Sequence, residues 1–328
     1  MLRTAVVTFV LASAAAFPGG LVFAQGAAGA VGFPSKSIMI VVPASPGGAI
    51  DLVARLSAQK MTELWGKSVV IENKAGATGA IGTEFVARST PDGHTLALVA
   101  SSHAINPSLF KKLPYDTIRD FAPITLVGSQ PYMLIVHPSV PAKSVAELVK
   151  LAKSSPGRIA FSHTGVGSAT HLAGALLEST AGVEFLSVPY KSPAHFTAVI
   201  AGEVSFTITS VYLSWPQVQA GKLRALAVTS RQRSAAAPTV PTMIEAGVPG
   251  YDMGNWYGLL MPAATSPAIV NFINARTSEV LKRADTRALL AKAEIDATDS
   301  SPQEFARFIA AETAKFAALI KQTGIKPE

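Results

Sequence analysis

From Lys36 onward the apolar and polar positions follow two alternating rhythms. An apolar run at 37–42 fits a buried strand. Behind it Ile50, Val53, Leu56 and Leu64 recur on one side of a helix predicted over 48–64. KSVVIENKAGATGAIGTEFVARS gives a strand, a glycine loop and a helix, and PDGHTLALVASS gives a turn feeding a further strand. Single strands alternating with single helices predict parallel pairing and an α/β fold.

A second series starts near Pro131. PYMLIVHP reads as a strand, and Ser144 with Glu147 as the capping box of a helix that stops before Pro156-Gly157. RIAFSHTGVGSATHLAGALLESTAG repeats the opening layout, with Gly182 as the C-terminal stop. The alternation runs to about Ser230 through VEFLSVPY, AHFTAVIAGE, VSFTITS, LSWPQVQAGK and LRALAVTS. The layout repeats, but the sequence does not. Beyond Ser230 a stretch rich in proline and glycine holds one strand near 256–261. A long helix from about Ser266 follows, then a last one opened at Ser301, with Phe305, Phe308, Ile309, Phe316, Leu319 and Ile320 on one stripe. Two α/β series with a helical tail returning to the first predict two lobes, 33–126 with 230–328 and 127–229, and a ligand cleft between them.

The start of the chain is of another kind. A basic Met1-Leu2-Arg3 precedes apolar AVVTFVLASAAAF, and LVFA stands just before Gln25. This predicts a secretory signal peptide over 1–24, cut after Ala24, and therefore export to the periplasm. The apolar stretch is short for a bilayer span and runs into Pro18-Gly19-Gly20. With 49% apolar and 15% charged residues in 328, the chain has the side chains for a sizeable core. It has no cysteine, so that core must hold without disulfides. The net charge of +7 is spread along the chain, with no basic run and no interleaved aromatics. That argues against a nucleic-acid partner and leaves a general attraction for anions.

The candidate chemistry lies in the glycine-containing turns. At 41–56, VVPASPGGAIDLVARL passes from strand to helix through Ala44, Ser45, Pro46, Gly47 and Gly48. A helix N-terminus leaves N–H groups unpaired and carries partial positive charge, and glycine lets an anion approach them. The same residues would also serve an ordinary strand-to-helix turn. At 163–171, HTGVGSATH places Thr164, Gly165, Val166, Gly167 and Ser168 before another helix. ASSHAINP adds Ser101, Ser102 and His103, and KAGATGAIG adds Ala77, Thr78 and Gly79. If each series is a lobe, each offers a helix N-terminus to the cleft, and a molecule with two carboxylates would bridge them. No arginine lies in these loops, so the charge would be met by backbone and hydroxyl donors. Four or five such bonds at about 1.5–3 kcal/mol each, less the cost of ordering, leave room for micromolar binding. Asp51 falls in the first helical turn and reads first as the helix's own cap, otherwise as a contact to a ligand ammonium or to a bridging water.

Enzyme signatures are missing at these turns. No Gly-Lys-Ser/Thr follows the first glycines, and no Gly-x-Gly-x-x-Gly spacing occurs there. Ser168 directly follows a glycine and so does not form a Gly-x-Ser-x-Gly elbow. The six histidines are dispersed without His-Glu-x-x-His, which gives a metal little support. A serine hydrolase using Ser101, Ser102 or Ser168 stays open on spacing alone. No cofactor is expected.

VVPASPGGAIDLVAR, VVIENKAGATGAIGTEFVAR, PDGHTLALVASSHAINPSLF, LPYDTIRDFAPITLV, VPYKSPAHF and the 223–267 stretch resemble the Bug (TctC-like) family, in order, over essentially all of the chain after the expected signal peptide. These are periplasmic solute receptors of tripartite tricarboxylate transporters. The resemblance implies an α/β, two-lobed type II periplasmic-binding-protein fold that closes like a Venus flytrap on a small carboxylate. It further implies a monomer that delivers its ligand to a two-component membrane permease without catalysis. Matched motif by motif, it implies ligand contacts at 45–48, 77–79, Ser101, Ser102 and 164–168, with Tyr190 bordering the cleft. Ala44 departs from the aromatic residue of many relatives and would enlarge the pocket, admitting an aromatic carboxylate. Ser192 follows VPYK where relatives have glycine, and Ser205 and Thr209-Ser210 stand where acidic residues are frequent. The rival readings are a hydrolase on the same scaffold and a sensory receptor presenting its ligand to a membrane kinase.

Overall fold

The computed structural model describes residues 32–191 and 193–325. The segment expected to be a signal peptide and the departure at Ser192 lie outside them. The first series builds β1 (Ile38–Val42), α1 (Ala49–Trp65), β2 (Val69–Asn73), α2 (Ala80–Ala87), β3 (Thr95–Ala100) and α3 (Ser102–Leu109), with a 3₁₀ turn at Ala77–Gly79. It leads into the long strand β4 (Phe121–Val136). The second series builds α4 (Val145–Ser154), β5 (Ala160–His163), α5 (Ala169–Ala181), β6 (Leu186–Pro189), α6 (Ala194–Ile200), β7 (Phe206–Ser210), α7 (Val211–Gln219) and β8 (Arg224–Val228). The tail supplies β9 (Gly254–Pro262), α8 (Pro267–Lys282), α9 (Ala284–Lys292), β10 (Asp296–Ala297) and α10 (Pro302–Thr323).

The strands join in the order β2-β1-β3-β9-β4-β7-β5-β6, with β10 and β8 also paired to β4. Parallel pairing holds for β1 with β2 and β3, and for β5 with β6 and β7. The expectation of parallel pairing throughout is corrected at the centre, where β9, β8, β7 and β10 all meet β4 antiparallel. β9 reaches the sheet along a helix-free segment after β8, so no crossover helix imposes a parallel direction on it.

β4 is the common member of both halves. From Phe121 to Pro131 it pairs with β9, and from Tyr132 to Val136 with β7. The register shifts between Pro123 and Thr125 beside a residue that has no N–H to donate. The core of the first half packs Ile38, Ile40 and Val42 against Val53 and Met61 of α1, with Leu96, Leu98 and Leu259. The apolar stripe of α10 is realised, since Phe305, Ile309, Phe316, Leu319 and Ile320 are buried. It lies against α3 and β4 and also against α5, so the tail ties both halves rather than returning to the first alone. The expected long helix from Ser266 is two helices, α8 and α9, separated at Arg283, whose backbone is extended (φ −66°, ψ 137°). Among the described residues no helix is long and apolar enough to cross a membrane.

Candidate functional site

The turns singled out in the first series leave the C-terminal ends of β1, β2 and β3, and these parallel neighbours bring them together. Gly79 sits so close to the first turn that a Cβ on it would stand 3.1 Å from the Pro43 carbonyl oxygen and 3.8 Å from Ser102 Oγ. Its φ of +89° is open to glycine at little cost. Ala77 and Thr78 hold φ values of 45° and 51°, which are uncommon for residues with a side chain. The turn they form is secured by Gly79 N–H on the Gly76 carbonyl and by Asn106 Nδ2 on the Thr78 carbonyl, 3.2 Å away. Strained backbone held by surrounding bonds is a feature that clusters at ligand sites.

The first turn of α1 is built around Asp51. Its Oδ2 accepts from the Gly47 N–H at 3.0 Å and from Arg55 Nε at 2.9 Å, while Oδ1 accepts from Asn73 Nδ2 at 2.9 Å. Burial alone would raise this carboxyl, but the bonds from Arg55, Gly47 and Asn73 outweigh it and hold it below the usual carboxylate value. Asp51 therefore serves its own turn, as a cap-like role required. One consequence corrects the expectation that the glycines of this turn leave their N–H groups open to an anion, because the Gly47 N–H is taken. The first intrahelical bond runs from Leu52 N–H to the Gly48 carbonyl. The N–H groups of Gly48, Ala49, Ile50 and Asp51 are left without an acceptor among the described residues. Ala44 accepts from Asn73 Nδ2 through its carbonyl, and Ser45 and Pro46 are exposed.

At the end of β3 the two serines part ways. Ser101 is buried, and both its N–H (3.2 Å) and its hydroxyl (2.7 Å) are given to Asn255 Oδ1. It is thereby a structural residue of this junction, and the half-buried Ser102 keeps the place beside Gly79. His103 also leaves the candidate set. It is buried between Tyr115, stacked at 6.2 Å, and Phe121 at 5.2 Å, with Nε2 at 3.2 Å from the Thr117 carbonyl. Burial pushes its imidazole down to about 4. Alternation on the helix places it inward, which the loop reading of this stretch did not foresee.

The second turn leaves β5 and opens α5. Ser168 is the N-cap, accepting from His171 N–H at 3.2 Å, and its Oγ lies 3.0 Å from Thr170 Oγ1. Thr170 also takes the Thr164 N–H at 3.0 Å. Gly167 gives its N–H to His171 Nδ1. A Cβ on Gly167 would stand 2.2 Å from Leu109 Cδ1, so this turn rests on the end of α3. α3 thus touches the turns of both series, with Ser102 and Asn106 toward one and Leu109 toward the other. Gly165 closes the turn through Ser168 N–H, and Val166 projects 47% exposed at its tip. Tyr190, half-buried at the end of β6, is anchored beside this turn by its N–H on the His163 carbonyl.

Residues that the sequence reading passed over complete the arrangement, namely Arg55, Asn73, Asn106 and Asn255. Of these only Arg55 carried a local signal, its i,i+4 spacing from Asp51. Two hollows of about 610 Å³ are lined by none of the candidate site residues. The charged rim of one is already paired, Lys36 with Asp92 and Arg88 with Glu84. The other lies where β4 changes partners, beside Pro131 and Glu294. Among the described residues no group of three or more His, Asp or Glu side chains could hold a metal ion.

Comparison with known proteins fits this architecture. Residues 53–325 match the tripartite tricarboxylate transporter family receptor (TctC). The chain belongs to this family. Among solved structures the receptor is similar to R. palustris Rpa4515 with adipate, at 32% identity and a TM-score of 0.85, over 90% of this chain and 100% of the other. It is similar to the periplasmic binding protein BugD at 30% identity and a TM-score of 0.82, over 90% and 100% of the two chains. MatC (Rpa3494) from Rhodopseudomonas palustris with bound malate is 30% identical, with a TM-score of 0.80 over 88% and 100%. The chain therefore has the α/β fold of periplasmic solute-binding proteins.

Proposed function

We propose that the protein captures a small mono- or dicarboxylate between two lobes joined through β4, without chemical change, and delivers it to the two-component permease of a tripartite tricarboxylate transporter. Export by the segment at 1–24 would place it in the periplasm, as its family and the similarity to BugD suggest. The observation that carries this reading is the row of N–H groups from Gly48 to Asp51 without acceptors among the described residues, at the sheet edge from which the turns holding Gly79 and Ser102 also leave. A carboxylate there would satisfy donors that α1 cannot use. Ala49 and Ile50 join the site on this account, with Ser45, Gly48, Thr78, Gly79 and Ser102. Across the cleft Thr164, Val166 and the start of α5 face the ligand, and Tyr190 borders it. The adipate and malate of the two similar receptors support this ligand class.

The hydrolase alternative finds no support in the geometry. The Ser101 hydroxyl donates to Asn255, and the Ser168 hydroxyl caps α5. Among the described residues none of Ser101, Ser102 and Ser168 has a histidine ring nitrogen as the partner of its hydroxyl.

Thermal shift against a panel of adipate, malate, succinate and benzoate tests the proposal. A ligand at a hundred times its Kd should stabilise the protein by about 2.7 kcal/mol and raise Tm. If none of these carboxylates shifts Tm while ester substrates are turned over, the receptor reading is wrong.

A further inference from the structure

The second turn carries two buried imidazoles to which the capture reading gives no task. His163 ends β5 and His171 lies in the first turn of α5, with ring centroids 4.3 Å apart and planes inclined by 33°. His171 Nδ1 accepts the Gly167 N–H at 3.0 Å. His163 Nδ1 lies 2.8 Å from the Gly165 carbonyl and 3.2 Å from the Gly165 N–H. The shorter contact assigns the proton to Nδ1, which leaves Nε2 to accept from Ser187 Oγ at 2.8 Å. One ring thus holds the backbone just before Val166, and the other holds it just after.

The backbone needs such holding. Gly165 and Gly167 have φ of +122° and +73°, and glycine has the most conformational freedom to lose. Leu109 blocks one side of Gly167, and His171 fixes the direction of its N–H on the other. Once that N–H is engaged, Ser168 takes its N-cap geometry and the Ala169 and Thr170 N–H groups have no acceptor among the described residues.

We infer that His171, braced by His163, is a positioning residue for ligand capture: its unprotonated Nδ1 pre-forms the 164–168 turn and so sets the donors at the start of α5. The ring itself need not touch the ligand. The inference rests on the capture reading, because a pre-formed turn matters for affinity only if the turn meets the ligand. Pre-organisation raises affinity by removing an ordering cost from the binding step.

Two substitutions separate the acceptor from the bulk. His171→Leu keeps an apolar volume without an acceptor, and His171→Asn keeps an amide oxygen close to the place of Nδ1. The readouts are amide hydrogen exchange at Gly165 and Gly167, and calorimetric Kd for adipate and benzoate. In His171→Leu, exchange at Gly167 should rise and affinity should fall, each by about tenfold or more, the scale of one hydrogen bond. His171→Asn should stay within about threefold of the wild type in both, since the acceptor is kept. Unchanged exchange and affinity in His171→Leu would overturn the inference, and so would a tenfold loss in His171→Asn. Should His171→Leu fail to fold, the His171→Asn result decides by itself. If the wild type binds neither carboxylate, the capture reading fails on its own, and Gly167 exchange in His171→Leu still reports whether the ring holds the turn.

Discussion

Asp51 shows how one side chain decides what a turn can offer. Its carboxylate takes the Gly47 amide and draws in Arg55 and Asn73, while the next four amides have no acceptor among the described residues. Asp51→Ala should cost about 1–3 kcal/mol of stability in urea unfolding, because Gly47 and Asn73 would lose a buried acceptor. The Arg55 pair itself is half-exposed and adds little. Ser168→Ala should cost about 0.5–2 kcal/mol through the lost N-cap, read in the same experiment. Its place in the first helical turn made Asp51 legible in the sequence, whereas Arg55 was passed over although its i,i+4 spacing signals the pair. Asn255 carried no such signal, since it meets Ser101 across 154 residues and no short-range pattern encodes that meeting.

The elements best foreseen were those that carry their own end signals. Ser301 and Glu304 form the reciprocal capping box of α10, and the stripe behind them is buried. At α4 Ser144 caps as expected, but the Glu147 carboxylate takes the Lys143 N–H instead of closing the box. β4 was foreseen only in its second part, because Pro123 and Pro131 interrupt the apolar pattern of a strand that tolerates them at a register shift and at a change of partner. α10 lies over β9 at Gly258, where a Cβ would stand 2.0 Å from Phe305 Cζ. Gly258→Ala should therefore destabilise by about 1–3 kcal/mol through overpacking, seen as a lower Tm. An unchanged Tm would mean that α10 is free to shift away from the sheet.

For the whole molecule, the α/β class and the two series were legible, whereas the antiparallel centre was not, because β9 and β4 are brought together over more than a hundred residues. Three buried histidines set a pH dependence of the entire fold. His103, His163 and His195 are each pushed down to about 4 by burial, with His171 adding to the effect at His163. The unfolded chain takes up protons near pH 6.5 that the native state refuses, so their contribution is complete above that pH. It is lost as pH falls toward about 4, with a slope approaching 1.4 kcal/mol per pH unit for each histidine. Urea midpoints measured from pH 7 to 4.5 should fall accordingly, and a flat profile would place these rings in water.

Carboxylate capture rests on the amides of Gly48 to Asp51 at the start of α1, which have no acceptor among the described residues. Gly48 has an ordinary backbone (φ −82°, ψ 172°), and a Cβ there would meet nothing nearer than the Ser45 carbonyl oxygen at 3.9 Å. Gly48→Val can therefore be accommodated at a cost of about 1 kcal/mol while its branches cover the amides. Calorimetric titration of the wild type and of Gly48→Val with the carboxylate that raises Tm most is the direct test. Wild-type protein should bind with a micromolar Kd and the folded variant not at all. Retained affinity in Gly48→Val would place the carboxylate away from these amides.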